Sequence, residues 1–537
     1  MKQKMKKMIV LGLSCVMAAS VMAGCGESQA SPESSSGTGT EQEAGGEKVL
    51  KFGCQMFADG SINVVRDVNG AWNAMRYGIT ESLFKFDDNM NVIPWIAESY
   101  TVSDDHKTWT IKIRDGIKFS DGCEVTAAKV KESLDWVRKE GPNGSSNPEK
   151  FLEFEAEVTA DDAANTIVIK TQTPYIDLTG NLAHPVMAIV DVADTKDFEA
   201  AIIGTGPYVA DKFTDQVGYD LVKNTNYYED VPYDSVQLLY MGDASAKAMA
   251  LQSGQVDLVE NITNVSDIQK LQEDENYTVD IAPGIRTGFA WMNHAGILGN
   301  DTLRKAILMS IDYETICQSN TIGGLYTAGF SVLPSSLDYG YDKLNNPYAY
   351  DPEAAMKLMD DAGIVDADGD GIRELDGQNI NLTVVSYENR LLNDFADAQS
   401  QYLAKVGIGT VAKYGSGDDQ WSSLVAGEYD LNQNNWNTAA TGDPIDYLAN
   451  WYSKCDSDYC AYKNDEYDAL YEQLLIEMDA DKRVELITKM QQILIDDAVA
   501  IIDGYYNSSM IYSKNIASAH IQTADYYWLN NKIVPAE

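Results

Sequence analysis

Along residues 106–122, "HKTWTIKIRDGIKFSDG", large apolar side chains fall on alternate positions. Trp109, Ile111 and Ile113 share one face of an extended chain and Thr110 and Lys112 the other, which predicts a strand with one buried side. Asp115-Gly116 then predicts a tight turn into a second strand, a β-hairpin. At 126–137, "TAAKVKESLDWV", the period lengthens. Val130, Leu134 and Val137 recur at helical spacing, and Thr126 stands where it can cap the first turn. Residues 350–363 give the cleanest helix: Asp351 as cap, Pro352 in the first helical position, Gly363 at the end. Its predicted apolar face is Ala355, Leu358, Met359 and Ala362. A strand is predicted over 380–387, and a helix, a break at Gly407 and a strand over 391–414. Residues 481–502 read as an amphipathic helix running into a strand. Helix and strand signals alternate along the whole chain with no repeat of solenoid length, so the predicted fold class is α/β.

The first fifty residues follow neither period. Lys2, Lys4, Lys6 and Lys7 precede an uncharged apolar stretch, residues 8–23, too short for a confident transmembrane helix and fitting a secretory signal. Val21-Met22-Ala23-Gly24-Cys25 resembles the lipobox of bacterial lipoproteins, which implies cleavage before Cys25 and a diacylglycerol on its sulfur. Residues 26–47 hold no aromatic or large aliphatic side chain and cannot bury enough surface to order themselves. They read as a disordered tether, and two acyl chains are what durable anchoring requires.

Hydrophobic residues make up 45% of the 537, ordinary for a chain with real cores. The formal net charge is −42, and loss of residues 1–24, with four lysines and no acid, takes it to −46. That excludes a nucleic-acid partner, which needs clustered Lys and Arg. Of seven cysteines, five lie beyond Cys25: Cys54, Cys123, Cys317, Cys455 and Cys460. Cys455 and Cys460 in "CDSDYC" are close enough to bridge in an oxidising compartment, or to stay free in a reducing one.

Candidate enzymatic chemistry is thin. None of the four histidines, His106, His184, His294 and His520, has a partner at metal-binding helical spacing, and no G-x-S-x-G elbow occurs. "GTGPY" (204–208) lacks the third glycine of a dinucleotide loop and reads as a turn feeding a strand. No cofactor and no catalytic residue are expected. "DADGDGIRELDG" (366–377) sets Asp366, Asp368 and Asp370 at positions 1, 3 and 5 of a calcium loop, but Gly377 stands where the bidentate Glu belongs. It is either a polar Asp-Gly turn or a loop closed by Glu374 or Asp376. There are 31 Tyr against 12 Phe, with nine Trp. Such side chains suit a wet cleft that grips a polar ligand.

"VIPWIAESYTVSDDHKTWTIKIRDGIKFSDGCEVTAAKVKESLDWV" (92–137) resembles the signature region of the peptide/nickel class (family 5) of extracellular solute-binding proteins of ABC importers. Pro94, Ala97, Trp109, Arg114, Asp115, Gly116, Phe119, Asp121 and Gly122 carry the likeness. "GTGPYVADKF", "VKNTNYYED", "AKAMALQSGQVDLV", "NDTLRKAILMSIDYETI" and "GDPIDYLANWY" continue it in order over roughly residues 49–530.

The resemblance implies a two-lobe periplasmic-binding-protein fold, type II-like, with a hinge and an extra inserted domain. Residues 48–80, 200–289 and 500–537 would form lobe I, 81–199 the extra domain and 290–499 lobe II. It implies a peptide or peptide-like solute, or a nickel or metallophore chelate, passed to permease and ATPase subunits. With the Cys25 anchor, it places the protein outside the cytoplasm on the bacterial cell membrane. In peptide-binding members an Asp shortly after a cleft Trp pairs with the peptide amino group. Here the Trp is Trp436 and the Asp position holds Ala439 or Ala440. In the nickel-binding member an Arg before a Pro pairs with the chelate carboxylate, and His184 stands there. Trp436, Asn437, His184, Phe57, Tyr77 and Trp291 are the expected ligand neighbours, Trp436 by stacking, His184 and Asn437 by polar contact. Other classes, a surface sensor or chaperone and a secreted hydrolase, are the alternatives.

Overall fold

A computed structural model describes residues 46–55, 60–143, 146–455 and 457–537. Cys25 and the tether lie outside them, as does Phe57. Residues Glu47–Glu537 form one compact unit.

The strand alternation at Trp109, Ile111 and Ile113 appears as predicted: all three are buried in Thr108–Ile113, with Thr110 and Lys112 partly exposed. The predicted hairpin does not form. Gly116 makes its turn at φ 81°, but beyond it there is only one bridge, Lys118 to Glu124. Both edges of Thr108–Ile113 are already taken, by Ala97–Val102 and Thr166–Lys170, and Glu157–Asp161 completes an antiparallel four-stranded sheet. The helix Ala127–Glu140 packs on that sheet through Val130, Leu134 and Val137, capped by Thr126 Oγ1, which accepts from Lys129 N. A bridge between Glu81 and Ile189 joins the two ends of the segment that contains this sheet.

Pro352–Asp361 is helical with Asp351 capping Ala354 N at 2.9 Å. Its buried face is narrower than the pattern predicts. Ala355 and Met359 are buried, Leu358 is half-buried and Ala362 is exposed, because only one turn-spaced ridge meets the neighbouring helix Asp301–Ser310. Leu392–Lys405, the Gly407 break at φ 84° and Gly409–Gly415 follow the predicted order, as do Ala480–Asp496 and the strand after it.

The main sheet has eleven strands. Across it run Gly409–Gly415, Asn381–Tyr387, Leu431–Asn437, Tyr277–Met292, Ala500–Ser513, Leu258–Glu260, Val49–Cys54, Ser235–Tyr240, Gly218–Lys223 and Tyr208–Thr214. The short Tyr326–Thr327 strand adds to Ala500–Ser513. Two strands are exceptionally long, Tyr277–Met292 and Ala500–Ser513. They pair with each other antiparallel from end to end. One end of the pair adds Leu258–Glu260, which leads on to Val49–Cys54, and the other end adds Leu431–Asn437, so the two halves of the sheet hang on one ribbon. The ribbon's register slips between Pro283 and Arg286 and again between Gly288 and Phe289, local irregularities that let strands bend.

The five described cysteines beyond Cys25 carry no disulfide, so Cys455 and Cys460 are unbridged.

Candidate functional site

A cavity of about 1050 Å³ opens beside the ribbon where the two lobes face each other. One wall includes Trp72 and Arg76 of the helix Val68–Arg76 and Trp528 near the C-terminus. The other comes from residues 387–394, where the strand Asn381–Tyr387 gives way to the helix Leu392–Lys405. Arg286 and Tyr506 of the ribbon line it as well.

Its floor holds a buried charge cluster. Asp525 is 4% exposed, and its Oδ2 lies 2.6 Å from Arg76 Nη2 and 2.9 Å from Arg286 Nε. Arg76 Nε also donates to the backbone carbonyl of Asp525 at 2.7 Å. The Arg76 guanidinium lies between two indoles, 4.5 Å from the Trp72 ring centre and 4.3 Å from that of Trp528. Arg286 sits over the other part of the same surface, 5.3 Å from Trp72. Planar cations stacked on aromatic faces keep their orientation with little further ordering. Burial pushes the Asp525 carboxyl up, but the guanidiniums of Arg76, Arg286 and Arg390 outweigh it and hold the group below its usual range.

Arg390 comes from the opposite wall. It and Leu391 both have positive φ, 42° and 61°, a conformation that costs a non-glycine residue free energy. Leu391 begins the helix Leu392–Lys405 without any side-chain cap. The Arg390 guanidinium stands 5.4 Å from the Tyr506 ring and donates to Asn389 Oδ1 at 3.0 Å, while its Nε is buried without a hydrogen-bond partner. Its backbone carbonyl accepts from Tyr326 OH, which in turn receives Asn435 Nδ2 at 3.1 Å. Asn435 Oδ1 is likewise buried and unpartnered.

The expected ligand neighbours are distributed differently. The strand Leu431–Asn437 points successive side chains to opposite faces. Asn435 lines the cavity, and Trp436 turns the other way. There it packs 5.6 Å from Trp291, 5.7 Å from Tyr459 and 5.9 Å from Phe289. Trp291 is fully buried in that aromatic cluster. Asn437 Nδ2 donates to Tyr526 OH at 3.3 Å and its Oδ1 accepts from Ala439 N. Tyr77 is 1% exposed, edge-on to Phe52 and Trp528, one layer behind the cavity wall. His184 is stacked on Phe151 at 4.0 Å and its Nδ1 accepts from Val186 N. Burial lowers its pKa to about 3, so it stays a neutral imidazole and offers no cation to an anion.

In the loop 366–377, Asp366 and Asp368 are joined by Glu374, with carboxylate oxygens all within 4.8 Å of one another. Asp370 turns instead to Asn379 Nδ2 at 2.7 Å.

Arg76, Arg286, Arg390 and Asp525 carried no motif. Arg76 and Asp525 are 449 residues apart, Arg286 and Asp525 239. Only the folded ribbon brings them together.

Among proteins of known function, the glutathione-binding protein GsiB of Escherichia coli (strain K12) is 29% identical over 290 residues, 53% of this chain and 55% of its own length. The chain thus spans about half the length of that relative. The oligopeptide-binding protein AppA of Bacillus subtilis (strain 168) is 23% identical over 532 residues, 96% of each chain. Two solved structures share the fold. NikA from Brucella suis, in complex with Fe(III)-EDTA, matches with TM-score 0.82 at 22% identity, over 91% of this chain and all of that one. AppA from Bacillus subtilis, in complex with a nonapeptide, matches with TM-score 0.74 at 20% identity and the same coverage. The family model described as bacterial extracellular solute-binding proteins, family 5, middle, matches residues 91–459. With that match over more than half of its length, this chain belongs to the family 5 bacterial extracellular solute-binding proteins.

Proposed function

We propose that this protein is the substrate-binding lipoprotein of an ABC importer, capturing di- or oligopeptides, or peptide-like solutes, and presenting them to permease and ATPase subunits. The observation that carries this reading is the cavity of about 1050 Å³ between two lobes joined by one bendable ribbon. That volume suits a small solute held without chemistry, and residues from both lobes line it, so an occupant favours the closed arrangement. Cys25 tethers the protein outside the cytoplasm through its lipid. The relatives that bind glutathione and oligopeptides support the peptide class.

A nickel or metallophore chelate is the second reading, and the cationic cavity floor favours it, as does the Fe(III)-EDTA held by NikA of Brucella suis. Mass spectrometry and metal analysis of material co-purified with residues 48–537 decide between them. A bound peptide supports the first reading and bound metal the second. Turnover of a peptide by the purified protein would overturn both.

A further inference from the structure

The cations of the cavity are not evenly paired. Arg76 and Arg286, both buried, share the one carboxylate of Asp525, and Arg390, half-buried on the opposite wall, has no carboxylate within ion-pair distance among the described residues. Lys247, which also lines the cavity, is neutralised by Glu260, with Nζ and Oε1 2.8 Å apart. The remaining lining acids, Asp243, Glu388 and Asp394, make no ion pair with these three guanidiniums among the described residues. Asp243 and Glu388 are exposed, Asp394 is half-buried, and Asp243 caps the helix Ala244–Gln252 through Ala246 N. Charges in water at the rim are screened over a Debye length of about 8 Å, whereas buried and partly buried charges are screened much less. The chain as a whole is strongly acidic, at −42, so this excess of cations runs against its composition.

From this charge count we infer that the cavity takes a solute carrying two carboxylates, docked between Arg76 and Arg286 on the first lobe side and Arg390 on the other. The inference rests on the cavity being the solute site.

Three observations converge on it. Arg390 keeps a buried Nε without a partner, so a hydrogen-bond donor is left over where a ligand would sit. An unmatched buried donor is costly unless something fills it. The guanidiniums of Arg76 and Arg286 are stacked on Trp72 and Trp528 and so fixed in orientation, which suits planar, two-pronged recognition of carboxylates. The third is the backbone at Arg390 and Leu391, held at positive φ, which delivers the Arg390 side chain and an uncapped helix N-terminus to the same side of the cavity. Because the cations come from both walls, a solute with two negative groups ties the lobes together. A solute with one leaves a guanidinium uncompensated.

Two sources share this chemistry, an acidic peptide and a polycarboxylate metal chelate. The test is calorimetry on the tripeptide Ala-Glu-Ala, its Gln counterpart Ala-Gln-Ala, the C-terminally amidated form of each, the same series in a pentapeptide Ala-Ala-Glu-Ala-Ala, and Fe(III)-EDTA. Each is run on the parent protein and on Arg390→Gln and Arg390→Lys, with melting temperatures measured alongside. The expected result is at least tenfold tighter binding of the doubly carboxylated peptide than of either singly carboxylated one. Arg390→Gln abolishes that preference and Arg390→Lys partly restores it, at little change in melting temperature. Peptides that bind equally well whatever their charge, and are indifferent to Arg390→Gln, overturn the inference while leaving the peptide reading standing. Binding of Fe(III)-EDTA alone, lost in Arg390→Gln, supports the inference and overturns the peptide reading. Failure of every probe counts against both.

Discussion

Replacing Asp525 by Asn isolates the electrostatic core of the cavity. The asparagine keeps the shape and an acceptor oxygen but removes the only negative charge that Arg76 and Arg286 share, at 2.6 and 2.9 Å. All three side chains are less than 10% exposed, so solvent cannot substitute for the lost partner. An exposed ion pair is worth roughly 0–1 kcal/mol, but removing one member of a buried pair costs about 3–5 kcal/mol because the other charge stays behind. Here two guanidiniums stay behind, with Arg390 repelling Arg286, so the upper half of that range applies. The assay is urea unfolding of residues 48–537, followed by tryptophan fluorescence. It should show a midpoint lowered by about 4 kcal/mol divided by an unchanged slope. The pH dependence provides an internal control. The carboxyl's folded pKa lies below its ordinary value. Its contribution is therefore complete above the unfolded pKa of about 3.9 and disappears as pH falls through the lower folded value. The Asn variant should lack that part of the acid-side decline. A loss under about 1 kcal/mol, or an unaltered acid limb, would refute the claim that this carboxylate holds the guanidiniums in place.

Other outcomes follow from the same structure. Lys247→Met strands Glu260, a residue 0% exposed whose Oε2 already lacks a partner. It should lower stability by about 3–5 kcal/mol, much of which the double variant with Glu260→Gln recovers, as chemical denaturation will show. Glu81 is fully buried and receives Tyr227 and Tyr228 hydroxyls at 2.8 and 3.0 Å, and burial nevertheless raises its pKa to about 7. A raised pKa means stability complete below the unfolded value near 4.3 and lost as pH rises towards 7. Glu81→Gln should flatten that descent and gain up to about 3 kcal/mol at pH 8, and denaturation at several pH values reads it directly. Cys25→Ser should move the protein from the detergent phase to the aqueous phase in a phase-partition assay; retention in detergent would rule out the sulfur as the anchor.

Much of the architecture was legible because it depends on local periodicity. The alternation in 106–113, the capped helices beginning after Thr126 and Asp351, and the break at Gly407 are decided within a dozen residues. The hairpin after Gly116 failed for a non-local reason: the strand's second edge was already occupied by Thr166–Lys170. The cavity was much less legible. Trp436 was conspicuous by type, but parity along its strand put Asn435 on the cavity side and Trp436 among the aromatics. Arg76, Arg286, Arg390 and Asp525 had no sequence neighbourhood to advertise them, since their grouping exists only once the ribbon has paired.

That ribbon has a mechanical consequence. No loop separates the lobes along Tyr277–Met292 and Ala500–Ser513, whose ladder of hydrogen bonds runs through the junction. Opening and shutting must therefore be absorbed as flexure of a leaf spring. The register slips beside Gly288, which pairs across the ladder with Gly504, the latter at φ 144° with Thr327 O too near for any side chain to fit without a shift. A spring stores elastic work that grows with the square of its deflection. Replacing either Gly288 or Gly504 by alanine would stiffen that spring and is expected to shift the affinity for every solute in the same direction.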